Sequence, residues 1–505
     1  MPGAVRSPLV EAASGLATVG RAFTERARLA GETPAIYEGE RSLSYRQLAA
    51  RVNRLANALA ADGIGRGERV AVLSENRREY IEVQLACAKI GAVAACQNWR
   101  QIEGELTATI GLVSPAIIFV SPRFAPVLDA FRDNFRLEEE VGAACSVVVD
   151  GETVVDLWGG FRDGGRTRHW DAHTTVCMMS VAKGVTGIVF NMAVDRGQID
   201  IDMAVAHYWP EFARNGKADI PVRWILDHRA AIPVLTDDPM WPGGMFDREA
   251  YVRALEVQTP LWQPGTQAAY HVHNQGFLLG EILRRATGQT IGPYLRQHVA
   301  APLHAEYAIG GMTAEEQAHV AEVLPNLNAR LFAAKDVALP EEGAAWTGET
   351  LRPLAFRQNP DEPWHTTMNS AAWREVEIAS GNGHGNARGV ARIYGATVAP
   401  GAIDGVTLLS PDGLEAMIVE QHNQDELLQD RPYHQALGVL LNTPAAVYMG
   451  PNPRAFGHHG IGGSIGFGDP DRRIGFSYAC NKMHAVGDNG PRARRLIDAL
   501  YSAIG

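Results

Sequence analysis

Two short apolar runs, residues 146–149 and 153–158, flank the dipeptide Asp150-Gly151. Asp-Gly between such runs is a strong hairpin signal, because both residues tolerate the positive φ that a tight two-residue turn requires. A second pair of runs, residues 463–468 and 474–480, brackets Asp469-Pro470-Asp471 near the far end of the chain. Between these pairs, residues 181 to about 296 carry apolar positions at helical spacing, interrupted by loops. Residues 124–135 and 491–504 read as amphipathic helices. The pattern predicts an antiparallel sheet built from both ends of this region, flanked by helices and carrying a helical subdomain, an α+β architecture.

Upstream the pattern differs. Residues 34–37 and 70–73 read as strands, and Ser44-Tyr45-Arg46-Gln47 is a capping box that opens an alanine- and leucine-rich helix ending near Gly63. Residues 76–79, from Asn76 to Glu79, repeat the device and start a second helix that ends at Gly91. Strand and helix alternate, which predicts an α/β layer. The two patterns meet near residue 121, so residues 1–121 and 122–505 are expected to form separate domains.

The first stretch resembles the N-terminal end of the acyl-CoA synthetases, the AMP-forming adenylating enzymes. The likeness rests on Ser42-Leu43-Ser44-Tyr45-Arg46-Gln47-Leu48, on Gly67-Glu68-Arg69-Val70-Ala71, on Gly91-Ala92-Val93 and on Gln97-Asn98-Trp99-Arg100. It covers about a fifth of the chain and then stops. The Ser/Thr/Gly-rich phosphate loop, the aspartate that binds the AMP ribose and the swinging C-terminal domain of that family do not follow. The resemblance therefore implies a partial domain with no ATP site.

Composition narrows the partners. At 505 residues the chain exceeds one ordinary core. Its formal net charge of -11 is spread over interspersed acidic and basic residues, without a basic stripe, which argues against nucleic acid or an anionic membrane surface as partner. Five cysteines, widely spaced and without a Cys-x-x-Cys pair, make neither a disulfide framework nor a zinc site. Residues 1–22 lack the basic-then-apolar order of a signal peptide, and no run approaches the ~18 apolar residues of a membrane span. A cytoplasmic protein is expected. Homo-oligomer formation is left open.

The candidate chemistry starts at Cys177-Met178-Met179-Ser180-Val181-Ala182-Lys183-Gly184. On a helix, Ser180 and Lys183 lie one turn apart on one face. A serine hydroxyl is a poor nucleophile until a base takes its proton, and a buried lysine becomes such a base when desolvation lowers its pKa. A serine in a first helical turn also gains from the free N–H groups there. Ser-x-x-Lys alone is common, and a solvated helix face is its ordinary reading. Two further segments alter that: Tyr270-His271-Val272 after Pro264-Gly265-Thr266, and His458-His459-Gly460-Ile461-Gly462-Gly463-Ser464.

Taken in this order, the three segments resemble the serine beta-lactamase and penicillin-binding superfamily. The nearest likeness is to its esterase branch, the family VIII carboxylesterases and related class C beta-lactamase-like hydrolases. Val154-Val155-Asp156-Leu157-Trp158-Gly159-Gly160, Leu226-Asp227-His228-Arg229 and Gly383-His384-Gly385-Asn386-Ala387 support it. The resemblance implies Ser180 as nucleophile, Lys183 and Tyr270 as its base, and no cofactor. It implies an oxyanion site formed by the N–H groups of Ser180 and Ile461, with His458, His459 and Gly460 in the third motif.

Three departures stand out. Val272 replaces the asparagine two residues after the tyrosine, His458 replaces the lysine that opens the third motif, and Ala231 stands where a Leu-x-His-x-x-Gly segment usually has glycine. The first two remove groups that would hold a beta-lactam, so an uncharged small-molecule ester, short-chain or aryl, is the expected substrate. His271-x-His273 and His458-His459 are also compatible with metal ligation, but Asn274-Gln275 stand where a metallohydrolase would continue with Asp-His, and no metal is expected. Met178, Met179, Trp241 and Trp262 suit either an acyl pocket or ordinary core. An amidase or beta-lactamase on the same site, and a catalytically silent scaffold, are the alternative readings.

Overall fold

The computed structural model describes residues 18–38, 41–74, 77–97, 112–120, 123, 125–138, 140–236, 244–325, 339–341, 343–356, 364–484 and 489–504. The chain forms two compact units, Met1–Arg123 and Phe124–Gly505. In the first, helix α1 (Val19–Leu29) precedes a hairpin of β1 (Pro34–Glu38) and β2 (Arg41–Ser44). Then come α2 (Tyr45–Ala61), β3 (Arg69–Leu73), α3 (Arg78–Ile90), β4 (Val93–Gln97) and β5 (Ile117–Val120). Strands β4, β3 and β5 make a parallel three-stranded sheet in that order. Val52, Ala56 and Leu59 of α2 meet Val70 and Val72 of β3 and Val83, Ala86 and Cys87 of α3 in its small core.

The predicted capping box is present. The Ser44 hydroxyl accepts from the Gln47 N–H at 3.3 Å, and the Gln47 amide oxygen accepts from the Ser44 N–H at 2.9 Å. Among the described residues the second predicted cap is not seen. Helix α3 starts after Arg77 without a side-chain cap, and the Glu79 carboxylate bonds Arg77, Arg78 and its own backbone N–H. Asn76 lies outside the described residues. Gly91 closes α3 at a φ of 77°, as predicted.

The second unit is built on strands β6 (Gly142–Val149), β7 (Glu152–Gly160), β8 (Val176–Cys177), β9 (Tyr307–Ile309), β10 (Gly383–Gly385), β11 (His422–Glu426), β12 (Arg431–Gln435), β13 (Leu440–Leu441), β14 (Phe456–His459), β15 (Ile465–Asp469) and β16 (Ile474–Cys480). Eight of them form one antiparallel sheet in the order β11-β12-β13-β14-β15-β16-β6-β7. Strands from both ends of the unit meet there, with β16 and β6 paired from Ile474↔Val149 to Cys480↔Ala143. Asp150 and Gly151 turn the β6–β7 hairpin at φ of 53° and 84°, as their pairing predicts.

Its longer helices are α4 (Ala125–Leu137), α5 (Val181–Asp195), α6 (Asn274–Thr287), α7 (Ala387–Val398) and α8 (Gly490–Ile504). Period-two alternation decides which residue faces which layer. Ala143, Cys145 and Val147 of β6 join Val127 and Phe131 of α4 and Leu496 and Leu500 of α8 in one cluster. Ala144 joins the other cluster, with α5, α6 and α7. Helix α7 lies directly on the sheet at Gly475, where a Cβ would sit 2.2 Å from the Ala391 carbonyl oxygen. A small sheet, β8-β10-β9, stands at the entrance to α5. Among the described residues no helix is long and apolar enough to cross a membrane.

Candidate active site

The β8–β10 pairing fixes the entry to α5, and the Met178 N–H continues it by donating to the Gly383 carbonyl at 2.8 Å. Met179 then takes a φ of 52°, a region costly for a non-glycine residue and common where a side chain must be aimed. The turn leaves Ser180 at the N-cap of α5, partly exposed and with no side-chain capping bond. Behind it Val181–Ala193 are buried without interruption, so the serine stands on a rigid element. The Ser180 N–H has no hydrogen-bond acceptor among the described residues.

Lys183 is 2% exposed. Its Nζ donates to the carbonyls of Val272 and Ser380, both at 2.7 Å, and lies 4.5 Å from the centre of the Tyr270 ring. Burial holds its pKa well below the usual lysine range. As a neutral amine it spends both N–H bonds on the two carbonyls and keeps one lone pair.

Tyr270 is buried with its hydroxyl within side-chain hydrogen-bonding reach of Ser180. Burial, reinforced by Tyr433, pushes the phenol well above its usual range, while Ser180 and Arg431 pull the other way. The Tyr270 N–H donates to the Glu426 carboxylate at 2.9 Å. Around the ring stand His228 at 5.1 Å, Tyr433 at 5.6 Å and His458 at 6.0 Å between centroids. Burial keeps the surrounding imidazoles neutral, with His271 lowered to about 4 and His273 to about 3. The His228 Nδ1 accepts from the His271 N–H at 3.2 Å, which puts its proton on Nε2.

His458 and His459 end β14, both buried, with rings stacked at 5.6 Å. The His458 Nδ1 donates to the His459 carbonyl at 2.6 Å, and Arg431 approaches the His459 Nε2 at 3.4 Å. At Gly460 a Cβ would fall 2.1 Å from the Met178 carbonyl oxygen, so only glycine lets this strand end lie against the segment before Ser180. Gly460 spends its N–H on the Ser464 carbonyl at 2.7 Å. The next N–H, that of Ile461, has no acceptor among the described residues.

The residues singled out from sequence thus converge, with one change of part. Val272 is 7% exposed and its side chain belongs to the core cluster beneath Tyr270, while its carbonyl is what holds Lys183. Met178 and Met179 are likewise buried core, and Trp262 packs against the second cluster. Trp241 lies outside the described residues. Ala231 takes a φ of 60°, which accounts for the glycine usual at that place. Among the described residues no three His, Cys, Asp or Glu side chains are grouped as metal donors. Ser380, Tyr433 and Glu426 were not found from sequence. Ser380 lies 197 residues from Lys183 and carried no motif of its own.

The sequence matches the beta-lactamase family over residues 131–501. The chain belongs to that family. Within it the chain is similar to the esterase/beta-lactamase LipL of Mycobacterium tuberculosis, 30% identical over 363 residues that cover 72% of this chain and 82% of that protein. The structure is similar to a crystallised family VIII carboxylesterase, at a TM-score of 0.67 and 35% identity, covering 76% of this chain and 98% of the other. A penicillin-binding protein homologue from Caulobacter crescentus matches at a TM-score of 0.67 and 34% identity, over 76% of this chain and 98% of its own. The beta-lactamase-like fold expected of this part, with its antiparallel sheet, flanking helices and helical subdomain, is the fold observed.

A second family, the AMP-binding enzymes, matches residues 23–181. That match runs past residue 121 into β6, β7 and β8, which pair within the second unit. An indoleacetate–CoA ligase of Aromatoleum aromaticum is 43% identical over 99 residues, 20% of this chain. The chain spans only 19% of that ligase.

Proposed function

We propose that this chain is a carboxylic ester hydrolase that works through a seryl acyl-enzyme at Ser180. The observation that carries the reading is the meeting of Ser180 and the Tyr270 hydroxyl, one helical turn from a lysine whose pKa burial lowers. Ser180 Oγ attacks the ester carbonyl while its proton passes to the lone pair of Lys183, with the Tyr270 hydroxyl beside Ser180 as relay. The buried phenol stays protonated at rest, which favours the amine over a phenolate as ultimate base. The Ser180 and Ile461 N–H groups take the negative charge of the tetrahedral intermediate. Collapse returns the proton to the departing alcohol, and a water attacks the acyl-enzyme by the same route in reverse to release the acid.

Short-chain and aryl esters are the substrates proposed, since Val272 and His458 supply none of the charged or amide groups that would grip a beta-lactam. The Mycobacterium tuberculosis relative is named both esterase and beta-lactamase, so the distinction has to be measured on this chain. Residues 1–121 are proposed as a partial synthetase-like domain without an ATP site. Cys87, Cys96, Cys145, Cys177 and Cys480 are free thiols, which supports a cytoplasmic location. The test is turnover of p-nitrophenyl butyrate and of nitrocefin by the parent and by Ser180→Ala. The expected result is that the butyrate is the better substrate by kcat/KM and that Ser180→Ala loses about 10⁴-fold or more. A better nitrocefin rate, or a Ser180→Ala rate within about tenfold of the parent, contradicts it.

A further inference from the structure

The Ile461 N–H sits in a glycine-rich turn closed by the Gly460 N–H on the Ser464 carbonyl at 2.7 Å. Gly462 and Gly463 have φ of 103° and 114°, conformations open to glycine, and glycine is the residue that constrains a backbone least. Inside the turn the Gly463 N–H donates to the Gly460 carbonyl at 3.0 Å, which bonds the peptide carrying the Ile461 N–H. Further bonds reach the turn from outside it, among them the Cys480 thiol on the Gly462 carbonyl at 3.6 Å. The Gly462 carbonyl accepts from the His484 N–H at 3.2 Å and from the guanidinium of Arg492 at 3.2 Å.

Arg492 lies in the first turn of α8 and is 2% exposed. The same Nη2 that reaches Gly462 also donates to the Lys482 carbonyl at 2.7 Å, so it ties the turn to the chain leaving β16. Its Nη1 pairs with the Glu140 carboxylate at 2.7 Å, and the other Glu140 oxygen accepts from the Tyr478 hydroxyl. Glu140 is 3% exposed and stands just before β6, while Tyr478 is on β16. A planar guanidinium with fixed donors suits this task in a way that a lysine ammonium does not.

We propose that Arg492, held by Glu140, is a positioning residue for the oxyanion site: by bonding the Gly462 carbonyl it fixes the turn that presents the Ile461 N–H to the ester oxygen. The inference rests on the esterase reading above and names a structural support that neither the motifs nor the relatives assign. A buried ion pair is weak evidence for stability as such, since hydrophobic replacements of similar volume often serve as well. What a hydrophobic pair could not do is donate to Gly462. The geometry therefore assigns Arg492, through its bond to Gly462, a part in the transition state, and leaves Glu140 the part of a structural partner.

The test compares Arg492→Lys with Glu140→Gln in the full chain. Arg492→Lys keeps a cation beside Glu140 but loses the fork that pairs Glu140 through Nη1 while Nη2 donates to Gly462 and Lys482. It is expected to lower kcat on p-nitrophenyl butyrate by about tenfold to hundredfold, approaching the loss on removing an oxyanion donor, with KM little changed. Affinity for a phenylboronic acid, which forms a tetrahedral adduct on the serine, should fall by a similar factor, as expected of a transition-state analogue. Glu140→Gln leaves the guanidinium on Gly462 and should lower the melting temperature while keeping most of kcat. A folded Arg492→Lys with parental kcat and boronate affinity overturns the inference alone. Equal kcat losses in both variants, following their melting temperatures, overturn it too, since that is the signature of a merely structural pair. A parent that turns over no ester sinks the esterase reading and this inference with it.

Discussion

The two units differ in what their interiors are made of. None of the 16 histidines falls in Met1–Arg123, and every one lies in Phe124–Gly505. The core of the first unit is small and mostly aliphatic, centred on Val52, Leu59, Val70 and Val72, with Glu82 buried beside it and paired with Arg51. The second unit buries Lys183, His228, His271, His458, Glu426 and the pair Glu140–Arg492 among its apolar clusters. Burying such groups is costly unless each finds a partner, and here several partners are backbone carbonyls or other site residues. The first unit buries few polar groups, Glu82 and Gln97 among them; the second carries many that packing alone would not retain. The contrast supports the proposal that the chemistry lies in one unit, and it can be broken at several points.

The largest effect should come from Lys183→Met. It removes the amine lone pair while keeping much of the side-chain length, and leaves the Val272 and Ser380 carbonyls without their donor. Ester turnover should fall by about 10³-fold or more, at the upper end of general-base contributions, with a folded protein by circular dichroism. Retention of most of the rate would move the base elsewhere and remove the reason for burying a lysine. Tyr270→Phe deletes only the hydroxyl and keeps the ring among His228, Tyr433 and His458. A loss of about 10²-fold is expected, and an unchanged rate would leave Lys183 acting on Ser180 directly.

Much of this was legible in the chain. The hairpin at Asp150-Gly151 was readable because two residues in sequence encode a whole turn, and β16 (Ile474–Cys480) begins and ends where its apolar run does. The helix expected at 124–135 is α4 (Ala125–Leu137), and that expected at 491–504 is α8 (Gly490–Ile504). Strands β11 and β12 were not readable. His-Asn-Gln-Asp-Glu and Arg-Pro-Tyr-His-Gln have no apolar alternation, and they become strands by pairing with each other and, through β12, with β13 at the end of the sheet. The site shows the same limit. Ser180, Lys183 and Tyr270 announce themselves through motifs, whereas Ser380, Glu426 and Arg492 act through a carbonyl, a carboxylate on a backbone N–H and a guanidinium on a turn. Those partners are chosen by tertiary approach, and local sequence holds no trace of them.

Acid offers a gentler way to separate the units. His271 and His273 stay neutral in the fold down to about 4 and about 3, whereas in the unfolded chain histidine titrates near 6.5. Between those values the unfolded chain binds more protons than the folded one. Stability of the second unit should therefore rise with pH from about 4 to 6.5 and be lost as pH falls through that window. The first unit has no histidine to contribute such a slope. Urea midpoints followed by tryptophan fluorescence across this range test the sign, and a flat profile would mean that the imidazoles are not buried as described.

The smallest effect concerns residues 1–121. If they supply no catalytic group, their deletion should change kcat/KM on p-nitrophenyl butyrate by no more than about twofold, the coupling expected of independent sites, while solubility or oligomeric state changes. The intact protein should release no pyrophosphate from ATP in the presence of carboxylic acids. ATP-dependent pyrophosphate release, or a folded truncation without esterase activity, would put chemistry in the first unit and end the contrast.

The most direct measurement is covalent labelling of the intact chain with a fluorophosphonate, read by mass spectrometry before and after digestion. One adduct per chain is predicted, on the peptide that contains Ser180, absent from Ser180→Ala and greatly slowed in Lys183→Met. An unlabelled protein, or an adduct on any other serine, would contradict the claim that Ser180 is an activated nucleophile.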